Sequence, residues 1–156
     1  MFFIKKPSFL VTIVLLSFGL AACDQKPKET ETDIALTLYI QFLKDLGDKE
    51  EAKSLKSIPD IFVDDIVKIT DGHSVAKGYK ALEKHFTELR NMYGAWYIVI
   101  KEQSLSHDHK SATLKYEIAT DKTGLFEIVA MLKLADDNKI KEVNELYYRT
   151  EVELED

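Results

Sequence analysis

Apolar residues at Ile34, Leu38, Phe42 and Leu46 recur at every fourth position, flanked by Tyr39 and Leu43, which predicts an amphipathic helix over 33–46 that stops at Gly47. Asp48 and Glu51 read as a capping pair for a second, short helix. It carries Ala52, Leu55 and Ile58 and is ended by Pro59. From Ile61 to Thr70 the period drops to two, with Ile61, Val63, Val67 and Ile69 on one face, and a strand is expected. Asp71-Gly72-His73-Ser74 is turn chemistry, and Val75 to Lys77 can return as a short strand. After Gly78 the helical period resumes, with Leu82, Phe86, Leu89 and Tyr93 forming one stripe over 79–93, ahead of Gly94.

The remaining third of the chain alternates. Ala95 to Ser106 is β-prone at its start, and Ser111 to Thr120 sets Ala112, Leu114, Tyr116 and Ile118 against Thr113, Lys115 and Glu117. Leu125 to Ala135 is apolar on both faces, Asp136-Asp137-Asn138-Lys139 forms a hairpin turn, and Ile140 to Thr150 is a last strand. On that strand Glu142, Asn144 and Tyr148 share a face with Ile140 and Leu146. Lys141, Glu145 and Arg149 share the other with Val143 and Tyr147. Periodicity leaves open which face is inward; with the Ile140 face inward, Glu142 and Asn144 would point into an apolar interior. The order is two helices, a strand or hairpin, a third helix and a four-strand meander, an α+β fold with an antiparallel sheet.

The chain of 156 residues is 46% hydrophobic and 31% charged, the profile of one packed domain. Acidic residues outnumber basic ones 27 to 21, so no general cationic surface exists to neutralise phosphates, and nucleic acid is excluded as an expected partner. Nucleophile elbows, phosphate loops and zinc spacings are absent from the sequence, and neither a metal nor a cofactor is expected. His107-Asp108-His109 has the look of a metal site but falls in a predicted turn with no third ligand nearby, and His73 also falls in a turn.

At the N-terminus, Lys5 and Lys6 precede an apolar run from Phe9 to Leu20, which ends in Leu20-Ala21-Ala22-Cys23. The run is about a dozen residues, short of the roughly 20 that a membrane-spanning helix needs. The tetrad resembles the lipobox of bacterial lipoproteins. That resemblance implies removal of residues 1–22 and a diacylated Cys23 as the anchor in the membrane. The mature chain would have 134 residues, no free thiol, and 19 basic against 27 acidic residues, a net charge of −8. Asp24 to Thr32, DQKPKETET, reads as a solvated tether, and 151–156 as an acidic tail. Asp24 directly after the cysteine implies, by the same resemblance, the cell envelope on the periplasmic side of the inner membrane.

The element order, with FVDDIVKITDGHSVAKGYKALEKHFTEL and DDNKIKEVNELYYR, resembles the SnoaL-like and nuclear transport factor 2-like superfamily. Asp64 or Asp65, Gly78 and Lys139-Ile140 sit at its usual landmarks, and the likeness spans about residues 33–150. It implies a cystatin-like roll in which a curved, cone-shaped sheet wraps around three helices and leaves a pocket. In the isomerase and cyclase branches a pocket carboxylate moves a proton next to a carbonyl. Counting from Asp64, that base falls on Thr70, with Asp71 one step further. Asp71 is then either a base or the first residue of a Gly-containing turn. Tyr39 stands near the pocket tyrosine of helix one, or is simply an apolar-face aromatic.

His85 shares the buried face of its helix with Leu82, Phe86 and Leu89, as a ligand contact or as a satisfied core residue. Asp71, Glu142, His85 and Tyr39 are thus the catalytic candidates. Tyr39, His85, Trp96, Tyr116, Asn144 and Tyr148 are the pocket candidates, with Trp96 and Tyr116 also suited to core or interface. The expected function is a membrane-tethered, non-catalytic domain that binds a small apolar molecule or an envelope protein. Homodimerisation would use the sheet face. The alternatives are an isomerase- or cyclase-like enzyme and a scaffold of an envelope complex.

Overall fold

A computed structural model of the chain describes residues 31–48 and 51–149. The elements are α1 (Glu31–Gly47), α2 (Glu51–Lys56), α3 (Ile58–Ile61), β1 (Phe62–Thr70), β2 (His73–Lys77), α4 (Tyr79–Tyr93), β3 (Trp96–Leu105), β4 (Ser111–Thr120), β5 (Gly124–Leu134) and β6 (Ile140–Arg149). The expected leader (1–22), Cys23, the expected tether through residue 30 and the expected acidic tail lie outside the described residues, as does the side chain of Glu51 in the capping pair. No helix among the described residues is long and apolar enough to cross a membrane.

The six strands form one sheet in the order β2-β1-β6-β5-β4-β3. β3 to β6 make the antiparallel meander, β2 folds back on β1, and β1 joins the meander parallel to β6. The long α1 and α4 lie on the inner face of this sheet, and the apolar core fills the space between. It includes Leu36, Tyr39, Phe42 and Leu46 from α1, Leu82 and Phe86 from α4, and Leu114, Tyr116, Ile128, Leu132 and Val143 from the sheet. Phe42 meets Phe62 and Phe86 edge-on, with ring centroids 5.6 and 5.0 Å apart.

Three sequence expectations change. Pro59 does not end a single second helix. It sits in the first turn of α3, where its missing N–H breaks no helical bond, so α2 and α3 are separate short helices and the strand begins at Phe62. On β1 the inward side chains are Phe62, Ile66 and Lys68, whereas Val63, Val67 and Ile69 are half-buried on the other face. The reversal arises because a charged residue, Lys68, belongs to the core face.

On β6 the pairing slips between Lys133/Glu142 and Leu134/Ile140, so Lys141 is an extra residue on that strand. Ile140 is therefore inward together with Val143 and Glu145, and Glu142, Asn144 and Tyr148 fall on the outer face.

A polar pin closes one end of the roll. Arg90 donates to the carbonyl oxygens of Gly47 (2.7 Å), Gly94 (2.6 Å) and Asp48 (3.0 Å), and its guanidinium lies 5.5 Å from the centre of the Trp96 ring. Trp96 Nε1 donates to the Leu43 carbonyl at 3.1 Å, so the end of α1 is clamped against β3. Gly47 permits this approach: a Cβ there would stand 2.4 Å from the Trp96 carbonyl oxygen and 2.5 Å from Trp96 Cδ1. Gly47→Ala is expected to lower stability by about 3 kcal/mol or more, because the clash is with backbone and with a clamped ring. The midpoint of urea unfolding reads this directly, and an unchanged midpoint would contradict the clamp.

Candidate functional site

The inward faces of β1, β4 and β6 and the first helix meet at one carboxylate. Glu145, fully buried, accepts from Tyr39 Oη at 2.6 Å and Tyr116 Oη at 3.2 Å on Oε1. On Oε2 it accepts from Lys68 Nζ at 2.5 Å and Tyr147 Oη at 2.9 Å. A carboxylate offers about four lone-pair sites, so Glu145 is saturated by its own protein. Lys68 is buried with it and its ammonium lies 5.4 Å from the centre of the Phe86 ring.

Burial is the largest single influence on Glu145 and by itself pushes the carboxyl upward. The Lys68 charge, together with hydrogen bonds from Lys68, Tyr39 and Tyr147, outweighs it and holds the group below its ordinary value. The three tyrosines are held well above theirs, by burial first and by the neighbouring Glu145 charge second. The cluster is a carboxylate ringed by four donors, the Lys68 side chain and three tyrosine hydroxyls.

A narrow cavity of about 30 Å³ reaches this cluster, walled by Phe86, Leu89, Tyr93, Trp96, Ile118 and Phe126 and touching Tyr116, Glu145 and Tyr147. That is room for a water or two, since one needs about 10–15 Å³ of such space. Drug-sized ligands occupy roughly 300–1,000 Å³. Wider recesses are open grooves elsewhere on the surface: one of about 490 Å³ beside Lys44, Trp96, Tyr97 and Asp121, and one of about 430 Å³ beside Leu55, Pro59 and Tyr79.

Of the candidates named from sequence, Tyr39 and Tyr116 converge on the cluster, and Trp96 lines the cavity wall while anchored to α1. His85 is half-buried against Phe86, 5.8 Å between ring centroids, with no partner for Nε2. Burial and then the Lys68 charge depress its pKa. Asp71 stands outside the cluster. It occupies the β1–β2 turn at φ 49°, where its N–H donates to the Glu145 carbonyl and its Oδ1 accepts from the Tyr147 N–H at 3.0 Å. It clamps the end of β1 to β6.

Glu142 pairs with Lys133 at 2.8 Å on the outer face, Asn144 is half-buried on that face, and Tyr148 is exposed there. The Lys141 bulge is what keeps all three out of the interior. Thr70, where the base falls by count, has a buried Oγ1 with no partner. His107, Asp108 and His109 are exposed in the β3–β4 turn, where Asp108 accepts from Ser106 Oγ and from the Lys110 N–H. His73 is exposed at the start of β2.

Lys68, Glu145 and Tyr147 were not among the sequence candidates. Their signal was present: Lys68 shares a face with Phe62 and Ile66, and Glu145 shares one with Val143 and Tyr147. Opposite charges on two strands, each set beside large apolar residues of its own face, need each other as partners if both are buried.

No family model matches the chain. No curated protein matches it in sequence either. Solved structures do match in fold. An isomerase candidate of the SnoaL-like family from Agrobacterium tumefaciens superposes with a TM-score of 0.63 at 7% identity, over 78% of this chain and 100% of that one. An NTF2-like protein of unknown function from Exiguobacterium gives 0.63 at 14% identity, over 74% and 99%. A steroid delta-isomerase from Pseudomonas aeruginosa gives 0.57 at 15% identity, over 80% and 84%. At these identities the likeness is one of architecture, and chemistry has to be argued from the site. The chain folds as a SnoaL-like, NTF2-like cone, a curved six-stranded sheet closed around helices.

Proposed function

We propose that this protein is an acyl-anchored cell-envelope lipoprotein whose cone domain is a non-catalytic binding module that engages protein through the outer face of its sheet. The observation that carries the non-catalytic reading is the saturation of Glu145 by four donors at the end of a cavity of about 30 Å³. A general base needs a free lone pair within reach of the substrate proton. Glu145 has no vacant site, and the cavity that reaches it holds no more than a water or two. The small-ligand alternative asks for a pocket about ten times larger. The isomerase-like alternative asks for a carboxylate released from Lys68, although the steroid isomerase named above shares the fold.

The outer sheet face is the better binding surface. Tyr97 (67% exposed), Val99, Met131 and Tyr148 (53%) stand on it among the cross-strand ion pairs Lys115–Glu127, Lys101–Glu117 and Lys133–Glu142. Exposed aromatics among charges of both signs suit a protein interface, and a second copy of the chain is the first partner that this mixed face fits. All the described elements lie inside residues 24–156. Sedimentation of that fragment is expected to show a dimer, with Tyr97→Glu and Tyr148→Glu each weakening it about 30-fold. A wild-type fragment that stays monomeric at concentrations well above micromolar would overturn self-association.

A further inference from the structure

Among the exposed large apolar side chains of the described residues, three lie on helices rather than on the sheet: Met92 by itself near the end of α4, and Ile34 and Leu38 together on α1. Ile34 (48% exposed) and Leu38 (44%) lie one turn apart on the outer side of the first two turns of α1. The inner side of the helix, with Ala35, Leu36, Tyr39, Phe42, Leu43 and Leu46, is buried in the core. The exposed stripe therefore points away from the sheet. Further along α1 it turns polar, with Gln41 Nε2 donating to Asp45 Oδ1 at 2.6 Å. The other long helix shows no such stripe at its start: α4 presents Lys80, Glu83, Lys84 and Glu88 to solvent.

The apolar end of α1 is also the end nearest Cys23. Seven residues, 24–30, separate Cys23 from Glu31. They span at most about 26 Å fully extended. We infer that Ile34 and Leu38 form a lipid-contact site, through which the anchored domain rests the start of α1 on the membrane surface. The inference rests on the acylation of Cys23 proposed above.

A patch of two half-exposed aliphatics is too small to recruit a protein from solution. Anchoring makes the contact intramolecular, so the surface is presented at high effective concentration. The occupant is the acyl region rather than anionic headgroups, because the mature chain carries a net charge of −8 and the neighbouring exposed residues, Thr37 and Gln41, are neutral. This posture tips the N-terminal turns of α1 toward the bilayer and leaves the outer sheet face free for protein.

The test uses the full lipidated chain in phosphatidylcholine vesicles. Cys23 is the only cysteine, so Ile34→Cys, Leu38→Cys and, as a control on α4, Met92→Cys each add a single free thiol for a nitroxide label. Retained circular dichroism shows that each variant is folded. The expected result is that labels at 34 and 38 are relaxed more by lipid-dissolved oxygen than by a water-soluble nickel chelate, with the order reversed at 92. Labels at 34 and 38 that follow the water-like order of 92, on protein that floats with the vesicles, would overturn the lipid contact while leaving the anchor intact. Exclusion of both quenchers at 34 and 38 would overturn it too, by showing that protein covers the stripe. Protein that does not float and whose mass shows an unmodified Cys23 would overturn the anchor and this inference together.

Discussion

Lys68→Met is expected to cost about 3–5 kcal/mol, because it leaves the Glu145 carboxylate buried without its counter-charge. Lys68→Met combined with Glu145→Gln is expected to recover most of that loss and to lie within about 1–2 kcal/mol of the parent, since no unpaired charge remains. The recovery separates a buried ion pair from a simple packing defect, for which two substitutions would cost more than one. Stability against pH gives an independent reading. In the parent, Glu145 is depressed in the folded state, so its contribution is fully present above its unfolded value of about 4.3 and is lost as pH falls below that.

In Lys68→Met the largest remaining influence is burial, which raises the carboxyl. A raised folded value contributes stability at low pH and loses it as pH rises through that value. Urea midpoints of the variant should therefore fall between pH 5 and 8, a range where Glu145 contributes no slope in the parent. A flat profile in the variant would show that Glu145 is not buried as a charge.

On the proposed lipoprotein reading, Cys23→Ser is expected to remove the acyl anchor. By the lipobox resemblance, acylation of the thiol precedes removal of residues 1–22, so the variant should keep its leader and carry no acyl chain. Each buried methylene of an acyl chain is worth about 0.8 kcal/mol, and two chains are needed for stable anchoring. Loss of both chains thus removes the whole acyl contribution to anchoring. Intact mass of the membrane-extracted protein reads processing and acylation together. A mature, acylated Cys23→Ser product would contradict the assignment of Cys23.

The elements were legible where burial and polarity agree. α4 follows its stripe of Leu82, Phe86, Leu89 and Tyr93, bounded by Gly78 and Gly94 at positive φ, and β4 follows its alternation because Thr113, Lys115 and Glu117 do face out. Reading failed where a charge was buried or a residue inserted. Lys68 made the core face of β1 look polar, and the Lys141 bulge changed which residues of β6 share the face of Ile140. Those two events hid one site, because the residues they displaced, Lys68 and Glu145, are each other's partners. Tyr39 and Tyr116 were legible as aromatics on apolar faces. Their shared acceptor lies over a hundred positions from one and 29 from the other, a proximity that no local pattern carries.

Native mass spectrometry of the fragment 24–156, purified gently from its own host, tests the central claim most directly. The expected spectrum is that of the bare polypeptide, monomer and dimer, with no retained organic molecule, since Glu145 is saturated and the cavity is about 30 Å³. A stoichiometric small molecule released on denaturation would contradict it, and would mean that the cone opens for a ligand that the Lys68–Glu145 pair gives way to.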